Sequence, residues 1–500
     1  MPIMDYIDGE LLSPVMQCDV PLISSERADA IARAIALAIK SHEKIFVYGD
    51  YDFDGFACAM VWREVFQLAN VPMPTVFNYV QRTHKLDPNI IQQVSDSGCK
   101  VVIVCDTGSS IEDQKVIRLL EMSGCVVMVI DHHNYQGDYL EDTKRRLIFN
   151  SRCEGLALGD CEVSAAYASL LVAKVLCEKY LHCPLAFNAK VYALASMYSD
   201  VVDVSSTLGR ALYYSVAGTH APGPVLFSIL NDVGYMFSRR LFSFIIAPKI
   251  NACFRTGNFF LLNTLLNTND LFLIKRTVHQ IKEVHSDASK LTKPLIERFD
   301  RCRVGEFVLC THVVDQETMM AGVRNFTGVI ATRISQQEAA ATVVVVKVGR
   351  VYEGSVRDYY GRPLQKTFSL FCNAEGHPSA FGLSFSDLAE FKKNLEVIKP
   401  TDLGELPTPY VALSSTLLQK STDIDALALY NEFMNTRTPV MIAHTIPYAT
   451  LVRSSKWNRF YDVGLFPGMP IRTTRPLVKG MNILMEPVLC KNVEIRELET

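Results

Sequence analysis

The chain has 500 residues, of which 49% are hydrophobic and 21% charged, and its formal net charge is −3 at pH 7. This composition is ordinary for globular domains and excludes a disordered chain, while the charge argues neither for nor against a nucleic-acid partner. No apolar run reaches the roughly eighteen residues of a membrane span, and the first residues lack the pattern of a signal peptide. Fourteen cysteines without a CxxC pair indicate a reducing compartment. We therefore expect a soluble cytoplasmic protein without a membrane partner.

The region from about residue 25 to 205 alternates short apolar runs with amphipathic stretches, which is typical of a parallel sheet covered by helices. The predicted strands are Ile45–Tyr48, Val101–Cys105 and Val126–Ile130. The predicted helices are Ser25–Ala38, Phe56–Leu68, Ser164–Tyr180 and Phe187–Ser199.

The rest of the chain predicts a smaller α/β region and a β-rich C-terminal region. A helical pattern runs from Asn269 to roughly Phe299, without Pro or Gly until Pro294, and suggests a connecting helix,. Two prolines and a glycine between Thr401 and Pro409 suggest a linker,. The predicted domains are therefore 1–265, a connecting helix over 266–300, an α/β domain over 301–400, and a β-rich domain over 401–500, for which an OB-like barrel is one candidate form.

Acidic residues and histidines follow three of these predicted strands. They lie in the stretches GDYDFDG (49–55), CDTGSS (105–110) and IDHHN (130–134), and Asp200 follows a predicted helix. The first stretch is not an EF-hand loop, because the twelfth residue from Asp50 is Val61 rather than Glu and because a strand precedes it,. Sites in open parallel sheets form at the carboxyl ends of the strands, so we expect these side chains to converge.

Five or six carboxylates in one crevice would repel each other unless cations were bound. Two divalent cations could activate a water and stabilise the leaving oxygen of a displacement at phosphorus. Imidazole beside carboxylate favours Mn²⁺, with Mg²⁺ or Co²⁺ as alternatives. The sequence thus predicts two divalent cations at this edge of the sheet.

The four stretches GDYDFDG, CDTGSS, IDHHN and SMYSDVVDV resemble, in order, the N-terminal motifs of the DHH phosphoesterase superfamily. The segment PKINACFR (248–255) resembles one of RecJ-type single-stranded-DNA exonucleases. The elements GSVR (354–357) and GH (376–377) resemble those of the associated DHHA1 domain. The resemblance covers residues from about 45 to 385.

This resemblance implies a role for each matching position. Asp131 would orient a histidine, His133 would contact the scissile phosphate, and His377 would face the site from the second domain. The implied metal ligands are Asp50, Asp52, Asp54, Asp106, His132 and Asp200. The implied substrate-binding residues are Arg82, Lys249, Asn251, Arg255, Ser355 and Arg357.

The chain departs from the family pattern at two places. Cys253-Phe254 stands where Ala-Gly is usual, and Glu375 replaces a glycine beside His377. Both changes bear on substrate length and strand choice rather than on metal binding. In the C-terminal region, cations interleave with aromatic residues over 453–479, which suits contact with a single strand. These residues are Arg453, Lys456, Trp457, Arg459, Phe460, Tyr461, Arg472, Arg475 and Lys479.

The resemblance implies a metal-dependent 5′-to-3′ exonuclease that hydrolyses single-stranded DNA to 5′-mononucleotides by a two-metal mechanism and that serves DNA repair or recombination. The partners implied are single-stranded DNA, with RNA as an alternative, and single-strand-binding or other replication and recombination proteins. One rival is a DHH-type phosphodiesterase acting on short oligoribonucleotides or cyclic dinucleotides. Another is a non-catalytic replication-scaffold protein, which the intact acids and histidines disfavour.

Overall fold

The structure is a computed structural model. It describes residues 19–80, 85–136, 143–153, 163–217, 223–230, 237–315, 322–377, 379–398, 411–414, 421–433, 440–447, 449–454, 459–463, 465, 470–473, 476–479, 481–489 and 493–497.

The chain divides into two compact units. The first contains Met1–Asn251, Phe259–Val278 and Tyr410–Thr500, and the second contains Ala252–Asn258 and His279–Pro409. The C-terminal region thus groups with the first unit. The four-domain division remains a proposal, and expression of the separate pieces would test it.

The first unit is built on a five-stranded sheet in the order β2-β1-β3-β4-β5, in which every neighbouring pair is parallel. This confirms the predicted parallel α/β sheet. Its strands are β1 (Ile45–Gly49), β2 (Thr75–Val76), β3 (Val101–Cys105), β4 (Val126–Asp131) and β5 (Arg146–Asn150).

Helices surround this sheet and continue beyond it. Strands β1 and β3 are buried throughout, as expected for a sheet covered on both faces. The helices are α1 (Glu26–Lys40), α2 (Phe53–Leu68), α3 (Asn89–Ser97), α4 (Ile111–Met122), α5 (Ala165–Leu176), α6 (Phe187–Ser199), α7 (Thr207–Ala217), α8 (Val225–Leu230), α9 (Arg239–Leu241), α10 (Ala247–Thr256), α11 (Phe259–Asn267) and α12 (Leu271–Glu297). Of these, α10 from Ala252 onward and α12 from His279 onward belong to the second unit. Single π-helical turns follow α5 and α9, at Cys177–Leu181 and Phe242–Ile246.

Side-chain caps fix where several of these helices begin. The Ser25 hydroxyl accepts from Ala28 N–H before α1, and Ser164 accepts from Tyr167 N–H before α5. Before α4, Ser110 and Asp113 form a reciprocal capping box. Such caps satisfy N–H groups that lack a partner within the helix.

The second unit is a mixed six-stranded sheet in the order β10-β11-β9-β8-β7-β6, with helices packed against it. Its strands are β6 (Asp300–Val304), β7 (Phe307–Val313), β8 (Ala341–Val348), β9 (Val351–Arg357), β10 (Asn373–His377) and β11 (Ala380–Phe385). Its helices are α13 (Thr327–Glu338), α14 (Gln365–Phe368) and α15 (Leu388–Val397), after a 3-10 turn at Val323–Phe326. Buried aliphatic residues of the central strand β8 alternate between two core clusters, one including Val343 and Val345, the other Val344 and Val346.

The C-terminal region forms a third sheet, in the order β12-β13-β17-β18-β16-β15-β14. This confirms the β-rich prediction, although seven paired strands exceed the five of an OB barrel,. The strands are β12 (Val411–Ser414), β13 (Val440–Thr445), β14 (Thr450–Ser454), β15 (Arg459–Asp462), β16 (Ile471–Thr473), β17 (Asn482–Leu489) and β18 (Val493–Glu497). One helix, α16 (Ser421–Phe433), lies between β12 and β13 in the chain. Among the described residues, no helix is long and apolar enough to cross a bilayer.

Candidate metal centre

The predicted site residues follow three neighbouring strands of the first sheet. Strands β1, β3 and β4 lie side by side and run parallel, so their carboxyl ends share one edge. The acids of GDYDFDG, Asp106 and the His132-His133 pair lie directly after these three ends. The sheet order therefore explains why segments distant in sequence meet here.

Two glycines allow the loop between β1 and α2 to close tightly. A Cβ on Gly49 would lie 1.9 Å from the Gly55 carbonyl oxygen, and a Cβ on Gly55 would lie 2.1 Å from Asp50 N. Either atom would overlap the backbone. Within this loop, Asp52 caps α2 by accepting from Asp54 N–H at 2.8 Å and Gly55 N–H at 3.2 Å, so the loop holds three acids in a defined order.

Asp106 lies in a turn that most residue types would resist. Its φ is 62°, in the left-handed region, where Asp is tolerated better than most side chains,. Gly108 then has a φ of 116°, and a Cβ there would approach the Val129 side chain to 2.5 Å. This turn places the Asp106 carboxylate back over the end of the sheet.

One imidazole lies at the centre of the cluster. His132 Nε2 is 3.4 Å from Asp106 Oδ1, 3.5 Å from Asp200 Oδ2 and 3.8 Å from Asp54 Oδ2. Its side chain is only 4% exposed. Two groups of three residues have ligand atoms within 4.8 Å of one another. One group is Asp54, His132 and Asp200, and the other is Asp106, His132 and His133. His132 belongs to both groups.

This geometry fits divalent cations. Two ligands that each lie about 2.1 Å from a cation are about 3.0 Å apart at a right angle and about 3.4 Å apart at the tetrahedral angle. The distances around His132 are close to these values. In addition, Asp50 Oδ1 is buried and has no hydrogen-bond partner among the described residues. An unpaired buried carboxylate oxygen is costly unless something positive binds it.

The raised pKa values of these carboxyl groups also indicate a site that fits cations. Burial, followed by repulsion from Asp52, raises the pKa of Asp50 to about 8. Burial, followed by repulsion from Asp200 and Asp52, raises the pKa of Asp54 to about 7. Burial and the surrounding carboxylates also raise the pKa of Asp106 well above its ordinary value. Bound cations would reverse these shifts, because they favour the charged carboxylates.

Residues that sequence reasoning missed hold Asp54 in place. Its two oxygens accept from Ala165 N–H at 2.8 Å and Ala166 N–H at 2.9 Å, both at the start of α5. The Ser196 hydroxyl also donates to Asp54 and lies 2.7 Å from the Ser164 hydroxyl. Ser196 is in the stretch SMYSDVVDV, but its spacing from Asp54 gives no sign of this contact.

Asp131 and His133 form a separate pair beside the cluster. Asp131 is fully buried, and its Oδ1 lies 2.8 Å from His133 Nδ1. The same oxygen accepts from the backbone N–H of His132 at 2.8 Å. Burial lowers the pKa of His133, but the Asp131 carboxylate outweighs this effect and raises that pKa to about 10. The His133 side chain is 45% exposed.

The predicted substrate-binding residues are distributed over both units. In the first unit, Lys249 Nζ donates to the Leu230 carbonyl at 3.1 Å, and Asn251 Oδ1 is buried without a hydrogen-bond partner among the described residues. Arg82 and the side chain of His377 lie outside the described residues.

The second unit contains the other predicted substrate-binding residues. Ser355 Oγ is 3.0 Å from Thr327 Oγ1. Burial lowers the pKa of Arg357 to about 10, and its Nη1 donates to the Val356 carbonyl at 2.7 Å. The Arg255 carbonyl accepts from Asn325 Nδ2 at 3.0 Å.

Comparisons with known proteins agree with the geometry of the site. Residues 44–193 match the model of the DHH family, N-terminal domain. The single-stranded-DNA-specific exonuclease RecJ of Bacillus subtilis (strain 168) is 24% identical over 401 residues, which are 76% of this chain and 48% of that protein. The chain therefore spans about half the length of this curated relative.

Solved structures show the same fold. RecJ of Thermus thermophilus in complex with Mn²⁺ matches with a TM-score of 0.71 at 17% identity, over 97% of this chain and 73% of that one. An exonuclease RecJ bound to manganese matches with a TM-score of 0.56 at 19% identity, over 75% of this chain and 95% of that one. Residues 44–193 are thus similar to the DHH family, N-terminal domain, and the chain as a whole is similar to RecJ in sequence and fold.

Proposed function

We propose that the protein is a metal-dependent 5′-to-3′ exonuclease that hydrolyses single-stranded DNA to 5′-mononucleotides. The observation that carries this proposal is the buried His132 imidazole, which has three carboxylates within 3.4–3.8 Å at the edge of the parallel sheet. The name of the Bacillus relative, a single-stranded-DNA-specific exonuclease, supports the choice of substrate.

The residues proposed to hold two divalent cations are Asp50, Asp52, Asp54, Asp106, His132 and Asp200. Bound there, such cations would polarise a phosphoryl oxygen and neutralise the charge that develops during hydrolysis. The mixed imidazole and carboxylate donors favour Mn²⁺, with Mg²⁺ or Co²⁺ as alternatives. The α5 N–H groups and Ser196 would keep Asp54 oriented toward the centre.

His133, oriented by Asp131, is proposed to contact the scissile phosphate. Because Asp131 Oδ1 lies 2.8 Å from His133 Nδ1, it fixes the ring orientation and favours the doubly protonated form. The Nε2–H would then donate a charge-assisted hydrogen bond to a phosphate oxygen. In this arrangement Asp131 acts through His133, as a positioning residue.

Contacts to the rest of the strand are assigned to residues farther along the chain. We propose that Arg82, Lys249, Asn251, Arg255, Ser355 and Arg357 bind phosphates or sugars, and that His377 joins the catalytic groups. In the C-terminal sheet, Phe460 pairs with Arg472 on β16 and with Arg453 on β14. An aromatic side chain between two arginine positions supports the proposal that bases stack there.

One assay decides between the candidate functions. The purified chain is incubated with Mn²⁺ and separately with 5′-labelled and 3′-labelled single-stranded DNA, an RNA dinucleotide and a cyclic dinucleotide. Early release of a labelled mononucleotide from 5′-labelled DNA, with progressive shortening of the 3′-labelled strand, supports the proposal. Preferred cleavage of either dinucleotide favours the rival phosphodiesterase, and no hydrolysis of any substrate favours the scaffold.

Two matched variants test whether the cluster around His132 is the site of hydrolysis. His132→Ala removes the shared imidazole and should abolish hydrolysis. Asp29→Asn removes a carboxylate of α1 that instead pairs with Lys179, at 2.8 Å, and should leave hydrolysis unchanged. Equal activity in both variants would mean that the reaction occurs elsewhere.

A further inference from the structure

The turn that carries Asp200 has a strained backbone. Asp200 follows α6 directly, and its N–H donates to the Ser196 carbonyl at 2.9 Å. The next residue, Val201, has a φ of 56°. For a β-branched residue this left-handed conformation is a true outlier, costing on the order of 1–2 kcal/mol. Such a conformation persists only where surrounding contacts impose it.

The end of α6 accommodates this conformation locally, because Val202 N–H donates to the Met197 carbonyl at 2.9 Å. The end of α16, in the C-terminal region, contacts the residues on both sides of the turn. The Phe433 carbonyl, at the last residue of that helix, accepts from Val204 N–H at 3.2 Å. The Phe433 ring is fully buried and meets the Tyr213 ring edge-to-face at 5.0 Å. On the other side of the turn, a Cβ on Gly209 would lie 2.6 Å from Val204 Cα. Val204 is therefore held between α7 and α16.

The residue before Phe433 makes a second connection. Glu432 is buried, accepts from the backbone N–H of Arg239, and lies beside the Tyr198 hydroxyl. Tyr198 lies on the last turn of α6, two residues before Asp200, and its carbonyl accepts from the Ser243 hydroxyl at 2.8 Å. The start and the end of the Asp200 turn are thus both in contact with the end of α16.

The helix α16 is in turn tied to the C-terminal sheet. Asn431 Nδ2 donates to the Pro487 carbonyl of β17 at 3.3 Å, and the Asn431 carbonyl accepts from Arg239 Nη1 at 3.2 Å. All of these residues belong to the first unit. The end of α16 is therefore fixed on two sides, by β17 and by Arg239.

We propose that Glu432 and Phe433 are positioning residues for Asp200, so that the end of α16, in the C-terminal region, is part of the scaffold of the metal centre. This inference rests on the proposed role of Asp200 as a metal ligand. It gives the C-terminal region a task that is separate from nucleic-acid binding. Removing the contacts would allow Val201 to relax, and the Asp200 carboxylate would move away from His132.

The test measures Mn²⁺ affinity in the full chain, from the electron paramagnetic resonance signal of free Mn²⁺. Glu432→Ala removes the acceptor and should weaken Mn²⁺ binding about tenfold, which is typical when support around a metal ligand is lost. Glu432→Gln keeps an acceptor in the same place and should retain wild-type affinity. Ile442→Ala, in the buried centre of β13, serves as a control for general loosening of the sheet and should also retain it.

A suppressor variant separates positioning from simple destabilisation. Val201→Gly removes the cost of the left-handed conformation, so the turn should need less support. Added to Glu432→Ala, it should recover most of the lost Mn²⁺ affinity. Unchanged affinity in Glu432→Ala, an equal loss in Ile442→Ala, or no recovery with Val201→Gly would overturn the proposal.

Hydrogen exchange provides a readout that does not depend on a metal. Amides of residues 200–204 should exchange faster in Glu432→Ala than in Glu432→Gln or Ile442→Ala, and equal exchange would overturn the proposal. If the wild-type chain binds no divalent cation, the proposed function fails and this exchange comparison still decides whether α16 holds the turn. If the wild type binds Mn²⁺ and all variants bind it equally, only the positioning role fails.

Discussion

Asp106, a proposed metal ligand, lowers the stability of the fold when no cation is bound. Its carboxylate is buried among others, and burial with that repulsion raises its pKa. We predict that Asp106→Asn increases the free energy of unfolding in EDTA by about 1 kcal/mol, because it removes a buried carboxylate that neighbouring carboxylates repel. Urea unfolding followed by circular dichroism measures this. A less stable variant in EDTA would show that the carboxylate is well compensated without a cation.

The pair Asp131 and His133 allows a direct test of electrostatic coupling. In Asp131→Asn the amide oxygen can still accept the neighbouring N–H bonds, but the negative charge is gone. We predict that the His133 pKa falls from about 10 toward the ordinary 6.5. A nuclear magnetic resonance titration of the imidazole in metal-free protein measures it. Asp29→Asn is the control and should leave the His133 pKa unchanged.

Glu432 predicts a pH dependence of stability. Burial is the main cause that raises its pKa from the ordinary 4.5 to about 7, so between these values the folded chain holds a proton that the unfolded chain has released. Stability should therefore fall as pH rises through this window and level off above it. Glu432→Gln has no carboxyl group to ionise. Its free energy of unfolding, relative to that of wild type, should therefore increase by up to roughly 3 kcal/mol between pH 4 and pH 8. Urea unfolding at both pH values tests this, and an advantage independent of pH would contradict it.

At the scale of elements, the loop between β1 and α2 depends on its glycines. We predict that Gly55→Ala lowers the free energy of unfolding by about 1–3 kcal/mol, as overpacking typically does, because the new Cβ would overlap Asp50 N. Calorimetry of the purified variant measures it. Gly382→Ala is a matched control, since the nearest atoms there are 3.7 Å away. A similar small effect at both positions would mean that the loop can open without cost.

The elements that the sequence predicted well are those with a regular pattern. The apolar runs before Asp50, Asp106 and Asp131 gave β1, β3 and β4, and the strand-end rule then brought their acids together. The short edge strand β2 and the helix α16 were not predicted. β2 has only two residues. α16 lies between strands in the chain, and its own helical periodicity is weak.

Contacts that depend on tertiary packing could not be predicted from the sequence. Ser196 donates to Asp54 across 142 positions, and Val204 N–H reaches Phe433. Neither pair shares a motif or a periodicity. The left-handed φ of Val201 is also invisible in sequence, since valine would be assigned to an extended segment. The sequence therefore allowed the acids and histidines of the cluster to be predicted, but not the groups that hold them in place.

At the scale of the whole molecule, cations should stabilise the first unit. We predict that Mn²⁺ raises the melting temperature, with about 2.7 kcal/mol gained at a concentration one hundred times the dissociation constant. Differential scanning calorimetry with and without Mn²⁺ tests this. His132→Ala should lose the shift and Asp29→Asn should keep it. A shift of equal size in His132→Ala would place the bound cations elsewhere.

The direction of the strands also has a practical consequence. Because β1, β3 and β4 all run toward the acids, the opposite ends of these strands lie one strand length away, and Lys100 is exposed there just before β3. At about 3.3 Å per residue, a label on Lys100 would sit roughly 20 Å from Asp106. Paramagnetic relaxation of a fluorine nucleus in a label attached at that lysine would then report the arrival and departure of Mn²⁺, without touching the chemistry it observes.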